Sequence, residues 1–249
     1  MPTMTESQIA TFLRRALRMA RAEISALAAL LIVALGILTF IEVADDATEA
    51  DGQAFDMSVL TWLQPTPGNA RGPWWLEEAA ADLTSLGGIS VLTLFALIAV
   101  IFLIMQRKRL SALLLVLGLL GGVALSEGLK ALFARDRPPA AYQAVETINA
   151  SFPSGHALLS TVFYLTLGVM LTRAFQQRRF KAFALGCALT IALIIGMTRV
   201  YLGAHWASDV IAGWCAGAAW AMALWLVSYG FERRQAARLS GLHDEPSPR

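Results

Sequence analysis

Residues 111–133 read SALLLVLGLLGGVALSEGLKALF, a long apolar run with Glu127 and Lys130 near its end. A helix that crosses a bilayer needs about 20 mostly apolar residues, so this run is long enough to span one. Charged side chains at the edge of the hydrocarbon layer are costly and need a partner or a function. The stretch therefore predicts a membrane-spanning helix that ends in a polar site.

The composition of the whole chain agrees with a membrane protein. Of its 249 residues, 57% are apolar and 15% are charged, and the mean hydropathy is +0.58. A soluble domain is about one quarter charged, so this chain lacks the polar surface of one. The net charge of +2, without a basic stripe, argues against a nucleic-acid partner. Cys187 and Cys215 lie in apolar runs and are predicted to be buried thiols.

Six apolar windows predict an all-α, polytopic membrane protein whose six transmembrane helices form a bundle. The windows are 24–43, 86–105, 111–133, 155–171, 183–201 and 208–229. Basic residues precede the first window, follow the last, and fill the second–third and fourth–fifth connections, whereas the first connection is acidic. The positive-inside rule then places both termini in the cytoplasm. The first window is longer than a signal-peptide core and lacks a following cleavage site, which predicts an uncleaved anchor.

The predicted spans divide the chain into three segments. Residues 1–23 have apolar side chains at helical spacing with arginines between them, typical of an amphipathic helix on the cytoplasmic leaflet. Residues 24–229 form the six-span domain. Residues 230–249 are polar and have Pro246 and Pro248 near their end, which predicts a disordered cytoplasmic tail.

The long outer connection, residues 44–85, contains its own helical pattern. Phe55, Val59, Trp62 and Leu63 recur at helical spacing. A second apolar group begins with two tryptophans after Pro73. Tryptophan favours the membrane interface, so this connection is predicted to form short interfacial helices.

Three polar clusters lie at the ends of the predicted spans. They are Lys130 with Arg137-Pro138, then Pro153-Ser154-Gly155-His156, and then Arg199 with His205 and Asp209. The span directions bring all three to the outer face. Each alone has an ordinary structural interpretation: a snorkelling lysine, a helix-capping serine, or a hydrogen bond along one helix face. All three on one face favour a single site assembled from several helices.

The residue types in these clusters suit a dianionic, tetrahedral group. Three cations are supplied by Lys130, Arg137 and Arg199. An arginine guanidinium can donate to two phosphate oxygens at once. The predicted helix that begins at Gly155 adds backbone N–H groups and the positive end of its dipole. Ser154 adds a hydroxyl, and Gly155 allows an anion to approach the backbone closely. Together these groups predict an anion-binding cradle.

Two histidines could carry the chemistry. His205 and Asp209 are four residues apart, so the carboxylate can hold one imidazole nitrogen and leave the other nucleophilic. Histidine can form a covalent phospho-intermediate. His156 lies in a different cluster and can protonate a leaving oxygen and later activate water. We predict no cofactor and no metal, since no carboxylate cluster at this face suits a hard cation.

These clusters resemble the three signature motifs of a known family. Lys130-x6-Arg137-Pro138, Pro153-Ser154-Gly155-His156 and Thr198-Arg199-x5-His205-x3-Asp209 match the order and spacing of the type 2 phosphatidic acid phosphatase superfamily. Thr198 stands where the family usually has serine, and it keeps the hydroxyl. The six-span layout resembles the integral-membrane lipid phosphatase branch of that superfamily.

The resemblance implies a role for each motif residue. His205 is the expected nucleophile, Asp209 its partner and His156 the general acid. The expected phosphate ligands are Lys130, Arg137, Ser154, Gly155 and Arg199. Arg135 lies in the same loop but falls outside the strict motif, so it is not included.

The resemblance implies a lipid phosphatase of the cell (inner) membrane, with its active site on the outer, periplasmic face. The expected substrates are phosphatidic acid, phosphatidylglycerol phosphate or a polyprenyl diphosphate of the undecaprenyl type. The alternative is a lipid phosphotransferase that uses another acceptor in place of water. A vanadate-dependent haloperoxidase shares the cradle but is soluble, and a scaffold or transporter needs neither histidine. The lipid and the oligomeric state stay open.

Three further features have open interpretations. Glu127 either pairs with Lys130 or is an interior structural carboxylate. Gly213-x3-Gly217 predicts close helix packing, either within the bundle or between subunits. His243 lies in the polar tail and is predicted to have no catalytic role.

Overall fold

The computed structural model describes residues 6–145 and 149–243, with side chains described at 23–145 and 149–234. Over these ranges the chain is helical, apart from connecting loops and one isolated bridge between Thr66 and Asn69. The α-helices are α1 (Glu6–Asp46), α2 (Ala50–Leu63), α3 (Trp74–Ser85), α4 (Ile89–Met105), α5 (Arg109–Phe133), α6 (Gly155–Ala174), α7 (Arg178–Tyr201) and α8 (Ala207–His243). A short 3₁₀ turn covers Ala140–Tyr142. The all-α prediction is confirmed.

The described helices provide five candidate membrane spans, or six if one bent pair is counted as a span. Five segments are long and apolar enough to cross a bilayer alone: residues 23–46 of α1, helices α5, α6 and α7, and residues 207–234 of α8. Helices α3 and α4 meet at a 48° bend and pass the same test of length and composition only as a pair, which would make a sixth span. Five predicted windows each lie within one helix. The second differs at its start, because residues 86–88 form the bend and α4 begins at Ile89.

Helices α2 and α3 are the short helices predicted for the outer connection. On α2, Val59 and Leu63 pack against buried side chains of α7 and α8. Phe55 and Trp62, from the same predicted stripe, are exposed instead. An exposed tryptophan at this position suits the membrane interface. The buried face of α2 contains Asp56 and Leu60.

The two ends of the chain are helical over the described residues. Helix α1 runs without a break from Glu6 to Asp46. The amphipathic face predicted for residues 1–23 lies outside the described side chains. The sequence predicts disorder over residues 230–249, whereas α8 continues through this segment to His243. Alanine, arginine, glutamine and leucine in this segment are good helix formers, so a polar composition does not end the helix.

Helix α6 lies at the centre of the bundle. It packs against α4, α5, α7 and α8. Its buried side chains Leu158, Leu159, Val162 and Phe163 form the main core with Leu115 and Ile195. The large exposed apolar side chains are instead concentrated on α1, α4, α5 and α7, where they face lipid. The start of α6 therefore lies in the middle of one end of the bundle.

The two glycines of Gly213-x3-Gly217 bring α8 against α6, so their packing is within the bundle. A Cβ atom added at Gly213 would lie 2.7 Å from the backbone oxygen of Ser154. One added at Gly217 would lie 2.7 Å from the backbone oxygen of Leu158 and 2.9 Å from Cβ of Thr161. Since backbone atoms cannot move aside cheaply, any side chain here forces the helices apart.

We expect Gly217→Ala to lower thermal stability in detergent, because overpacking typically costs about 1–3 kcal/mol. Gly186→Ala is the matched control, since no atom lies within 4 Å of a Cβ built at Gly186 on α7. That control should be neutral or stabilising by up to about 1 kcal/mol through helix propensity. Equal shifts of the melting temperature in the two variants would contradict close α6–α8 packing.

Candidate active site

The polar motifs meet in one cavity of about 320 Å³ at the centre of this end of the bundle. Its walls come from the α3–α4 bend, the end of α5, the start of α6, the end of α7 and the turn before α8. The lining residues are Gly87, Ile89, Val123, Ser126, Glu127, Lys130, Arg137, Val145, Asn149, Gly155, His156, Leu159, Arg199 and His205. Six of the eight predicted site residues are among them. Ser154 and Asp209 lie behind the wall.

A tight turn between α7 and α8 places His205 in the cavity. Gly203 in this turn has a φ of +64°, a left-handed conformation that glycine adopts without strain. A Cβ atom at Gly203 would also lie 2.1 Å from the backbone oxygen of Tyr142. The turn is closed by a hydrogen bond from the Ala204 N–H to the backbone oxygen of Arg199, at 3.0 Å. Only glycine fits this turn without a shift.

The contacts of His205 define its tautomer. Its Nδ1 lies 3.3 Å from Oδ2 of Asp209, and its Nε2 lies 3.2 Å from Nη1 of Arg137. Because guanidinium nitrogens only donate, Nε2 must be the acceptor, and Nδ1–H is left to donate to the carboxylate. This agrees with the predicted base–orienter pair. The unprotonated Nε2 is the nitrogen that faces the cations of the cavity.

Burial favours a neutral imidazole at His205. The side chain is only 2% exposed, and burial is the main cause that lowers the pKa of His205 from 6.5 to about 4. Asp209 acts in the opposite direction, and Arg137 and Arg199 lower the pKa further. A neutral imidazole is the nucleophilic form. The imidazole is therefore unprotonated at neutral pH.

The cations of the cavity are held by backbone and side-chain acceptors. Arg137 donates through Nη1 to the backbone oxygen of Ala204 and through Nε to that of Asn149, both at 2.6 Å. Burial lowers the pKa of Arg137 and Asp209 raises it, but an arginine stays charged in proteins. Lys130 pairs with Glu127 at 2.8 Å. Glu127 is more than half exposed, so it is a partner of Lys130 and not an interior carboxylate.

Two buried donors in the cavity wall lack a hydrogen-bond partner among the described residues. They are Oγ of Ser126 and Nε of Arg199. Arg199 is 5% exposed, and its Nη1 donates to Oγ1 of Thr84 at 3.4 Å. Unsatisfied buried polar groups are costly. Their position indicates that a ligand in the cavity would accept from them.

Glycine at position 155 leaves room beside these donors. A Cβ atom there would lie 3.3 Å from Oγ of Ser126 and 3.4 Å from Nζ of Lys130. The missing side chain thus opens the start of α6 towards the cavity, where helix N–H groups attract an anion. Ser154 is the N-cap residue, and its Oγ accepts from the N–H of Ala157 at 3.5 Å. It is fully buried and does not line the cavity.

The remaining motif residues have distinct positions. His156 lines the cavity together with His205. Thr198 is buried and donates to the backbone oxygen of Ile195 at 2.7 Å, so the threonine in place of serine serves its own helix. Asp209 is fully buried, and its Oδ2 also accepts from the N–H of Trp206 at 2.9 Å.

Sequence reasoning missed four residues at or behind this site. Ser126 lines the cavity, and Ser151 donates to Oδ2 of Asp209. Arg135, which the strict motif excludes, donates to Oδ1 of Asp209 at 2.7 Å and to Asp56 of α2 at 2.8 Å. One signal was available for Asp56: it is an acid on the same helical face as Leu60. The serines carry no comparable signal.

Comparisons with known proteins agree with this geometry. The family model described as the PAP2 superfamily matches residues 109–233. The chain is 30% identical over 161 residues to phosphatidylglycerophosphatase B of Bacillus subtilis, covering 64% of this chain and 77% of that protein. It is 32% identical over 125 residues to an undecaprenyl-diphosphatase of Sulfolobus acidocaldarius, covering 48% of this chain and 56% of that one.

The fold has a solved relative. A crystal structure of a transmembrane PAP2-type phosphatidylglycerolphosphate phosphatase from Bacillus subtilis superposes with a TM-score of 0.73 and 26% identity. The match covers 81% of this chain and 96% of that structure. The matched family region covers α5 to α7 and α8 as far as residue 233, and this region supplies most of the polar side chains of the cavity. The chain belongs to the PAP2 superfamily and is a multi-pass membrane phosphatase of the lipid phosphatase type.

Proposed function

We propose that the protein hydrolyses the terminal phosphate of a lipid phosphomonoester or diphosphate through a phosphohistidine, without a metal ion. The observation that carries this is the unprotonated Nε2 of His205, which lies in a cavity lined by Lys130, Arg137 and Arg199. A nucleophile beside three cations suits a phosphate dianion. The proposed catalytic and binding roles are those implied by the motif resemblance. In addition, the hydroxyl of Ser126 is proposed to donate a hydrogen bond to the phosphate.

In the first step, Nε2 of His205 attacks phosphorus and the bond from phosphorus to the lipid oxygen breaks. His156 gives its proton to that oxygen, so the dephosphorylated lipid leaves as an alcohol or a monophosphate. Asp209 holds Nδ1–H and stabilises the positive charge that develops on the imidazole. The three cations offset the charge on the equatorial phosphate oxygens.

In the second step, water attacks the phosphohistidine. His156, now neutral, accepts a proton from that water, and the phosphorus–nitrogen bond breaks. His205 regains its neutral form and inorganic phosphate leaves. A lipid phosphotransferase would use another hydroxyl at this point. Released phosphate in the absence of any added acceptor separates hydrolysis from transfer.

The donor chemistry of the cavity supports a metal-independent reaction. Its polar lining consists mainly of N–H and O–H donors, whereas Mg²⁺ requires oxygen acceptors. The nearby carboxylates already have cationic partners: Glu127 pairs with Lys130, and Asp209 pairs with Arg135. The positive charge that a metal would supply is provided by side chains.

A lipid substrate suits the apolar part of the same cavity. Ile89, Val123 and Leu159 line it beside the cations. Val123 lies about two turns below Lys130 on α5, and Leu159 about one turn below Gly155 on α6, towards the membrane centre. A phosphate can therefore occupy the polar end while an acyl or prenyl chain contacts the apolar end. Phosphatidylglycerol phosphate, phosphatidic acid and undecaprenyl diphosphate all have this form, and two of the relatives are named for such substrates.

The charge distribution supports an outward-facing active site in the cell membrane, with cytoplasmic termini. Arginine and lysine are concentrated in the α4–α5 and α6–α7 connections, at the opposite end of the bundle from the cavity. Acidic residues dominate the connection that contains α2. The positive-inside rule then assigns the cavity to the outer, periplasmic face.

In detergent with EDTA, we expect the purified protein to release phosphate from phosphatidylglycerol phosphate, phosphatidic acid or undecaprenyl diphosphate without an added acceptor. His205→Ala should lower kcat by about 10³-fold or more, because the nucleophile is lost. Phosphate release is measured colorimetrically, and an acid-labile phosphoenzyme is sought by rapid quench. Arg109→Gln, at the other end of α5, is the control and should keep wild-type kcat. Loss of activity in EDTA would contradict the metal-free reaction.

We expect the imidazole of His205 to stay neutral from pH 7 down to about pH 5, since burial lowers its pKa to about 4. The measurement is histidine NMR of isotope-labelled protein in micelles, with the His205 signal assigned by its loss in His205→Gln. A lowered pKa means that the folded state binds this proton more weakly than the unfolded state does. Protonation with a midpoint near pH 6.5 would contradict the assignment.

Cysteine labelling tests the orientation. In a variant with Cys187 and Cys215 replaced by alanine, Asp51→Cys on α2 should react with a membrane-impermeant maleimide in intact cells. Asp51 is exposed, as is Arg107 in the α4–α5 connection. Arg107→Cys should react only after lysis. The reverse pattern would place the active site in the cytoplasm.

A further inference from the structure

Arg135 occupies a position that phosphate chemistry does not explain. Its guanidinium donates through Nη1 to Oδ1 of Asp209 at 2.7 Å and through Nη2 to Oδ2 of Asp56 at 2.8 Å. Nη1 also donates to Oγ of Ser208 at 2.8 Å. One arginine thus bridges the carboxylate behind the nucleophile and a carboxylate of the interfacial helix α2.

Arg135 does not line the phosphate cavity. It lines a separate cavity of about 360 Å³ with Asp56, Phe152 and Trp206. Arg137, two residues later, lines the phosphate cavity instead. The two arginines of the α5–α6 connection therefore face different cavities, and only Arg137 is placed to bind substrate.

Asp56 is buried despite its place on a short surface helix. Its side chain is 1% exposed. Besides Arg135, it accepts from the backbone N–H of Ser208 at 2.9 Å and from the Ser208 hydroxyl. Ser208 lies in the first turn of α8, so Asp56 binds the start of the helix that carries Asp209. A buried carboxylate with these partners holds α2, the α5–α6 connection and α8 together.

The two oxygens of Asp209 have separate partners. Oδ2 faces His205 Nδ1 and accepts from the N–H of Trp206 and from Ser151. Oδ1 accepts from Arg135. Without Arg135, Oδ1 would lose its charged partner and the carboxylate could rotate about its Cβ–Cγ bond. The carboxylate of Asp209 fixes the tautomer and the ring orientation of His205. Arg135 therefore affects His205 indirectly, through Asp209.

We propose that Arg135 and Asp56 are positioning residues that hold Asp209, and through it the nucleophile His205, from the outer helix α2. This inference rests on the proposed phosphohistidine reaction. It gives one residue of α2, Asp56, a part in positioning the nucleophile, although no residue of α2 lines the phosphate cavity. It also predicts that a substitution of Arg135 lowers kcat, whereas a substitution of Arg137 weakens phosphate binding.

The test compares kcat, KM and the inhibition constant of vanadate in full-length variants. Asp56→Asn and Arg135→Lys should each lower kcat by about 10- to 100-fold, the range expected when a partner that orients a reacting group is lost. KM and the vanadate constant should stay within about twofold of the wild type, since the phosphate ligands are intact. The rate of phosphoenzyme formation in a rapid-quench experiment should fall by the same factor as kcat.

Asp51→Asn is the matched control, because Asp51 lies on the exposed side of the same helix. It should keep wild-type kcat. Arg135→Gln, which removes the positive charge, is combined with Asp56→Asn in a double-mutant cycle. In the Arg135→Gln background, Asp56→Asn should change kcat little. If Arg135→Gln does not fold, Asp56→Asn and Arg135→Lys still decide the question.

Two outcomes would overturn the inference. Wild-type kcat in both Asp56→Asn and Arg135→Lys would show that the bridge does not position the nucleophile. An increase of the vanadate constant by the same factor as the loss in kcat would show instead that Arg135 helps to bind phosphate. Failure of the proposed function is a separate result, because the wild type itself would then release no phosphate from any lipid of the panel.

Discussion

The carboxylate of Asp209 is the group on which the arrangement of the site depends. A buried carboxylate is tolerated only when its oxygens have donors, and here both oxygens do. These donors come from the α5–α6 connection and the start of α8. One of them, Arg135, also donates to Asp56 and so links the carboxylate to α2. Placing one charge at the end of a membrane bundle therefore requires several chain segments to meet around it.

The cavity in front of Asp209 has the opposite electrostatic character. Lys130, Arg137 and Arg199 hold positive charge there, and Ser126 offers a buried hydroxyl without a partner in the described part of the chain. His205 lies between the two regions, with Nδ1 towards the carboxylate and Nε2 towards the cations. That position sets the tautomer of the imidazole, with Nδ1 protonated towards Asp209 and Nε2 unprotonated towards the cavity.

Local and non-local features differed in how far they could be predicted. The six spans follow from hydrophobic length, and the outer-loop helices from periodicity, because each is a property of a short segment. The polar composition of the tail predicts disorder, whereas α8 extends to His243 because its residues favour helix. Arg135 was set aside because motif spacing does not identify its partner, and Asp56 precedes it by 79 positions.

The sequence by itself determined the long apolar helices, the motif residues and the pairing of His205 with Asp209, because these follow from apolar length and from a short spacing in the chain. Only the tertiary structure decided which side chains share the cavity. It placed Ser154 as a cap, Ser126 in the wall and Arg135 against the carboxylate of Asp209. The physical reason is that burial and hydrogen bonding between distant segments depend on how helices pack, and packing is not encoded in any one segment.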